Sequence, residues 1–286
     1  MGVTNLSEIL KSALAGGYGV PAINIFNDLT LEGVLKSAAA NQSPVIVQTS
    51  VKTVRMMGSD VIASMWEAMT RNIDIPVALH LDHCPDRAVI SECLERGWNS
   101  VLFDASALPV EENLRQTIEV VQEARRYGAH VEGEIESITG VEDGIGSDTE
   151  SKRQTLEVAI DFIERTGVDV FAPAIGNAHG RYAASPVLDV GRVQELFKAT
   201  GLPMALHGGS GLTAGQFAEL IGSGCAKVNI STALKEVYMR ANLDYLKSAE
   251  ESDKWDPPSL FSHTLSAVEK MTSEHIMLFG SNGKGL

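Results

Sequence analysis

The segment PVALHLDH, Pro76–His83, is the key to the architecture. It opens on a proline and an apolar run, and its polar residues Asp82 and His83 collect at the far end. A run of this length reads as a buried strand, and polar residues at strand C-termini are what a closed parallel barrel gathers into one place. The same design recurs in Pro21–Phe26, Pro44–Ser50, Ser100–Ser106, His130–Ile138, Val168–Ile175, Pro203–Gly209 and Lys227–Thr232. Amphipathic segments such as Glu111–Tyr127 and Leu188–Thr200 lie between them, and prolines ahead of the second, third and seventh runs stop the preceding helix. No GxGxxG turn follows a strand, so eight βα units predict an α/β fold of the (β/α)8 TIM-barrel type. Residues 1–286 are expected to form a single domain with a C-terminal helical extension. That extension is a helix from Ser231 to about Ser248, a polar DKWDPP break, and a last helix from about Ser259.

The bulk properties narrow the function. A formal charge of −14 argues against nucleic acid or an anionic membrane, which clustered Lys and Arg would have to neutralise, so a small molecule is the expected partner. Three cysteines without CxxC spacing suit a reducing compartment, and the expected location is cytoplasmic. MGVTNLSEILKSALAGG reads as a short amphipathic helix rather than a signal peptide, and no apolar stretch is long enough to span a bilayer.

The chemistry-bearing residues fall at strand ends: Asn24, Ser50, Asp82, His83, Asp104, Ser106, Glu134, His179, His207, Asn229, Ser231 and Thr232. His83, His179 and His207 follow three different strands, and three imidazoles with one open position are a recognised arrangement for a catalytic zinc ion. Each histidine alone would pass as an ordinary polar residue; three on neighbouring strand ends point to a metal. His80 shares a face with Asp82 but lies deeper, as core or support. Cys84 reads as a packed thiol. Gly208–Gly211 (GGSG) and Asn229–Thr232 (NIST) fall where barrels build phosphate sites, in the loops after strands seven and eight. Thr139–Ser151, rich in Gly, Asp, Glu and Ser, reads as a structureless loop on the catalytic face, a lid or a disordered segment.

VPAINIF, SPVIVQTS, HLDHC, VEGEI with GVEDG, IGNAHG, LHGGSG and KVNIST occur in that order. Together they resemble the class II, zinc-dependent ketose-bisphosphate aldolases of the fructose- and tagatose-bisphosphate type. The resemblance implies one catalytic Zn2+ per subunit on His83, His179 and His207, with Asp82 as acid/base at the C4 hydroxyl. It implies Glu142 as the residue that moves the proton on the nucleophilic carbon and Asn24 as the one that orients the enediolate. Asp104 and Glu134 match a secondary metal location. Ser50, Gly180, Gly208, Gly209, Ser210, Asn229, Ser231 and Thr232 match the substrate and phosphate site. Carbonyls of Ala178, Gly180 and Gly208 match a site for a monovalent cation, Na+ or K+. The implied activity is reversible cleavage of a ketose phosphate or bisphosphate to dihydroxyacetone phosphate and an aldehyde, by a homodimer or homotetramer.

Two departures stand out. Ser137 and Ile138 occupy a stretch that is glycine-rich in the family, and Leu265–Met271 lacks the arginine that grips a distal phosphate, with Lys270 the available cation. The aldehyde half of the substrate therefore stays open. Rival readings are a metal-dependent hydrolase, which usually has an HxH on strand one where PAINIF stands, and a non-catalytic binding or assembly relative. A Schiff-base aldolase would need a lysine facing the site, and Lys227 reads as lying at the wrong end of its strand.

Overall fold

In the computed structural model, residues 2–142, 145–147, 153–180, 182 and 186–285 are described. Eight parallel strands form the ring: β1 (Val20–Asn24), β2 (Val45–Ser50), β3 (Pro76–Cys84), β4 (Ser100–Phe103), β5 (His130–Gly133), β6 (Val170–Phe171), β7 (Met204–Leu206) and β8 (Cys225–Ile230). The ring closes where Lys227 of β8 pairs with Val20 of β1 and Ile230 with Ile23. Helices lie between the strands, as the (β/α)8 barrel requires.

Alternation along the strands divides the apolar residues in two. Ile23, Val45, Val47, Val77, Leu79 and Leu81 face the helical layer and belong to the main core. Val20, Ala22, Ile46, Ala78, Val170 and Ala205 face inward and form a second cluster with Leu6, Ile9, Leu10 and Ala13. Those four come from the helix Leu6–Gly16, which starts on an Asn5 cap and closes the amino-terminal end of the barrel. Each large side chain so buried contributes about 1.5–3 kcal/mol. A two-residue strand before it, Gly2–Val3, pairs with Pro76 and Val77 and was not foreseen.

Several strands end earlier than their apolar runs suggest, because side chains capture backbone N–H groups or the backbone itself turns. The fifth run does not continue to Ile138: Glu136 turns its carboxylate back to accept from the N–H groups of Gln154 and Ala174. The sixth run shortens because Pro173 has no N–H and Ile175 N donates to Asn177 Oδ1. The seventh stops where Gly208 turns to φ +66°. Within Thr139–Ser151, Gly140–Glu142 and Ile145–Ser147 pair as antiparallel strands, so that part is not structureless. Thr139 also bridges to Ala178, and His179 N donates to Thr139 O.

A buried clasp secures the same region. Arg192, at the start of the helix Val190–Thr200, donates to Glu136 Oε1 at 2.6 Å and to Gln154 O at 2.9 Å. It thereby ties residues on the two sides of the Gly140–Ser147 hairpin to the barrel wall.

The C-terminal extension is the helix Thr232–Ser252 followed by Pro257–Phe279. The last helix begins two residues before Ser259 because proline is tolerated in a first helical turn, and here two prolines open it. It packs on the helix Asp28–Ala40, where Ser37 Oγ donates to Glu269 O. All three cysteines are buried and free, and burial pushes the Cys84 and Cys225 thiols up to about 12, which fits packed rather than reactive sulfur. Among the described residues no helix is long and apolar enough to cross a membrane.

Candidate metal and catalytic site

β3 places two adjacent residues in one site by breaking its own alternation. Its pairing with β4 shifts between Leu81 and Cys84, and His83 adopts φ +39°. A non-glycine residue in the left-handed region costs on the order of 1 kcal/mol. The result is that Asp82 and His83, which a regular strand would point apart, converge. Ligating atoms of Asp82, His83 and His207 lie within 4.8 Å of one another, as do those of His83, Asp104 and Glu134. The ring centroids of His83 and His207 are 4.7 Å apart. His179 stands slightly outside, its centroid 5.0 Å from His83 and 6.4 Å from His207.

The donor set fits a divalent cation. His83 Nδ1 donates to Asp104 Oδ2 at 2.8 Å, and its buried Nε2 has no hydrogen-bond partner among the described residues. His207 Nε2 donates to Glu132 Oε1 at 2.6 Å, and its Nδ1 lies 3.2 Å from Glu134 Oε2 without a hydrogen bond. Each imidazole thus has one nitrogen oriented by a carboxylate and the other left for a metal. Burial opposes charge on His83, but Asp82, Asp104 and Glu134 raise it well above the usual histidine range. Burial likewise opposes charge on His207, but Glu132 and Glu134 push it up to about 9. Asp104 Oδ1 also accepts from Ser106 N and Oγ, which holds the carboxylate with Oδ2 toward His83.

Asp82 is held from both sides. Asn24 Nδ2 donates to Oδ2 at 2.8 Å, and Asn229 Nδ2 reaches Oδ1 at 3.4 Å. Gln48 Nε2 donates to Asn24 Oδ1, which fixes the direction of that amide. Burial works against the Asp82 charge, yet His83, Lys227, His207 and His80 outweigh it and hold the carboxyl below its ordinary range. His80 is fully buried and meets Ser100 Oγ, the supporting position expected of it. Burial, with Lys227 next, lowers it to about 3.

The glycine-rich loops also meet. A Cβ on Gly208 would collide with the Ala178 carbonyl, and one on Gly209 would lie 3.0 Å from Asn229 O, so the loops after β6 and β7 pack backbone to backbone with each other and with the end of β8. Gly180 sits at φ +86°. Ser231 precedes the helix Thr232–Ser252 without making a side-chain cap, and its buried hydroxyl has no partner among the described residues. Ser210 Oγ accepts from Ala233 N in the first turn of that helix. A helix N-terminus beside the unpaired Ser231 hydroxyl suits a phosphate.

Ser50 lies opposite Asp82 in register, but its hydroxyl is engaged at the start of the helix Val51–Met57, where it accepts from Thr53 N. Glu142 is in the hairpin by its backbone, and its side chain lies outside the described residues. Lys270 is exposed on the last helix. Three contributors were missed. Glu132 orients His207, Tyr182 links Ala178 N to Gly208 O through its hydroxyl, and Asn177 Nδ2 donates to His207 O. Lys227, set aside on sequence, extends its ammonium to 2.8 Å from Glu132 Oε2 inside the barrel.

Comparison with known proteins matches residues 4–284 to the family model described as fructose-bisphosphate aldolase class-II. The chain is 37% identical over 298 residues to a fructose-bisphosphate aldolase of Streptococcus pneumoniae serotype 4, covering 99% of this chain and all of that one. Among solved structures it is similar to the YdjI aldolase of Escherichia coli K12, with TM-score 0.87, 30% identity, and coverage of 99% of this chain and 100% of the other. It is also similar to a putative fructose-1,6-biphosphate aldolase of Coccidioides immitis, with TM-score 0.90, 27% identity and 98% coverage of each.

Proposed function

The chain belongs to the class-II fructose-bisphosphate aldolase family, and from that premise we propose how its own residues carry out metal-dependent aldol cleavage. The observation that carries the assignment of roles is the meeting of Asp82, His83 and His207 with Asp104 and Glu134, each histidine presenting one nitrogen already oriented by a carboxylate. Family members depend on zinc, and His83, His179 and His207 are the residues that would hold it here. When bound, the ion would polarise the substrate carbonyl and offset the negative charge left as the carbon–carbon bond breaks. Asp104 and Glu134 form, with His83, a secondary location for a cation.

Asp82 is the base that takes the proton from the C4 hydroxyl oxygen. Its ionised form is favoured, and the two asparagines aim it. Asn24 also presents its amide to the substrate oxygens. Glu142 takes or returns the proton on the carbon that becomes nucleophilic. Gly180, Gly208, Gly209, Ser210, Asn229, Ser231 and Thr232 hold the phosphate of dihydroxyacetone phosphate through backbone N–H groups and side-chain donors, with Ser50 at the margin. Carbonyls of Ala178, Gly180 and Gly208, two of which lie on segments packed together, are the ones that would hold Na+ or K+. The substrate is a ketose phosphate or bisphosphate, and the aldehyde half is not set by an arginine at Leu265–Met271.

Exhaustive chelation is expected to abolish dihydroxyacetone phosphate release from a ketose bisphosphate, and added zinc or cobalt to restore it. Activity indifferent to metal removal would refute the role given to the histidines.

Residues 1–286 act as one domain in this reading, and the buried free thiols suit the cytoplasm. Met239, Leu243 and Leu246 are exposed along one side of the helix Thr232–Ser252, and Leu246 and Trp255 line one shallow groove. Such an apolar stripe fits an interface between copies, a homodimer or homotetramer. Light scattering on the purified chain should give a multiple of the 30.6 kDa subunit mass, and a monomer at micromolar concentration would reject it.

A further inference from the structure

Lys227 is a fully buried cation whose part in the chemistry above is confined to helping keep Asp82 ionised. Its Nζ lies 2.8 Å from Glu132 Oε2 and donates to Asn229 Oδ1 at 2.8 Å. An ammonium has protons to give and no lone pair to accept with, so the end of Asn229 facing it is the carbonyl oxygen. The amide NH2 then points the other way, toward Asp82 Oδ1. A pure donor at one end and a carboxylate at the other leave Asn229 a single orientation. Glu132 divides its two oxygens between Lys227 and His207, so His207 keeps its partner at Oε1 without help from the lysine.

We propose that Lys227 is a positioning residue, which acts on the aldol reaction by fixing the amide of Asn229 so that its NH2 faces Asp82 and the substrate. This rests on the reading that Asp82 and Asn229 serve aldol cleavage. The competing role is structural: the lysine merely neutralises Glu132. Neutralisation requires a charge, whereas orientation requires a donor at Asn229.

The test uses the zinc-loaded full chain, the aldol reaction of dihydroxyacetone phosphate with the aldehyde the parent uses fastest, and zinc affinity by chelator competition. Lys227→Met should lose about 100-fold in kcat, the scale of a misplaced catalytic contact. Its KM should change far less. Its zinc affinity should change by less than the roughly tenfold that follows loss of a ligand's own partner. Lys227→Met/Asn229→Ala should be no slower than Asn229→Ala, because residues acting through one another are not additive. A kcat of Lys227→Met within about threefold of the parent, or a multiplicative loss in the double variant, would overturn the proposal. So would a zinc affinity that falls with kcat, which would place the lysine behind His207. Should the unpaired Glu132 prevent folding, Lys227→Met/Glu132→Gln removes both charges. It is expected to fold and to be slower than Glu132→Gln alone by about the factor that separates Lys227→Met from the parent, and turnover equal to that of Glu132→Gln would establish neutralisation instead. If Asp82→Ala and Asn229→Ala themselves left the reaction intact, the assignment of the site would fail before the role of the lysine was reached.

Discussion

Asp82→Ala is expected to lower cleavage turnover by about a thousandfold, within the range general acid–base groups contribute. The carboxylate is buried, kept ionised by the surrounding cations, and accepts an amide on each oxygen, so no solvent group can take its place. Zinc content, measured on the dialysed protein, should be unchanged because three imidazoles remain. Exchange of the dihydroxyacetone phosphate C–H proton with solvent should persist in Asp82→Ala and disappear in Glu142→Ala. Equal loss of cleavage and exchange in both variants would remove the division of labour between the two carboxylates.

Arg192→Met should cost about 3–5 kcal/mol of stability, the range for breaking a buried ion pair from one side. Arg192 and Glu136 are buried, and the arginine bonds both the carboxylate and Gln154 O. Burial already pushes the Glu136 carboxyl above its ordinary range despite the arginine. Without the arginine the native carboxyl binds its proton more tightly still, while the unfolded one does not. A group whose native pKa is raised adds stability below its unfolded pKa and loses it as pH rises through the native value. The melting deficit of Arg192→Met should therefore be larger at pH 8 than at pH 5. Adding Glu136→Gln should recover part of it at pH 8. A deficit independent of pH would mean that lost packing, not the stranded charge, accounts for the effect.

Much of the barrel was readable because its signals are local. Prolines, apolar runs and polar strand ends are written in consecutive residues, and HLDHC, GNAHG and HGGSG fall where the strands end. Strand ends were harder. Gly133 and Phe171 close their strands because Glu136 and Asn177 capture nearby N–H groups, contacts that depend on tertiary structure. The left-handed turn at His83 has no glycine to announce it. Lys227 and Glu132 could have been found by parity alone. Lys227 and Asn229 are two apart, as are Glu132 and Glu134, and in a strand such pairs share a face. The long side chain of Lys227 starts low in the barrel and carries its charge upward, so the position of its Cα on the strand does not locate its ammonium.

The helix Leu6–Gly16 does more than fill the base of the barrel. With the small inward residues Ala22, Ala78 and Ala205, it forms an oily floor beneath Lys227, Glu132 and Asp82. Water cannot screen those charges from below, so their field is directed toward the open mouth, as low-dielectric walls direct field lines in charged clefts. The amino-terminal helix is in effect an insulator for the chemistry at the opposite end of the molecule.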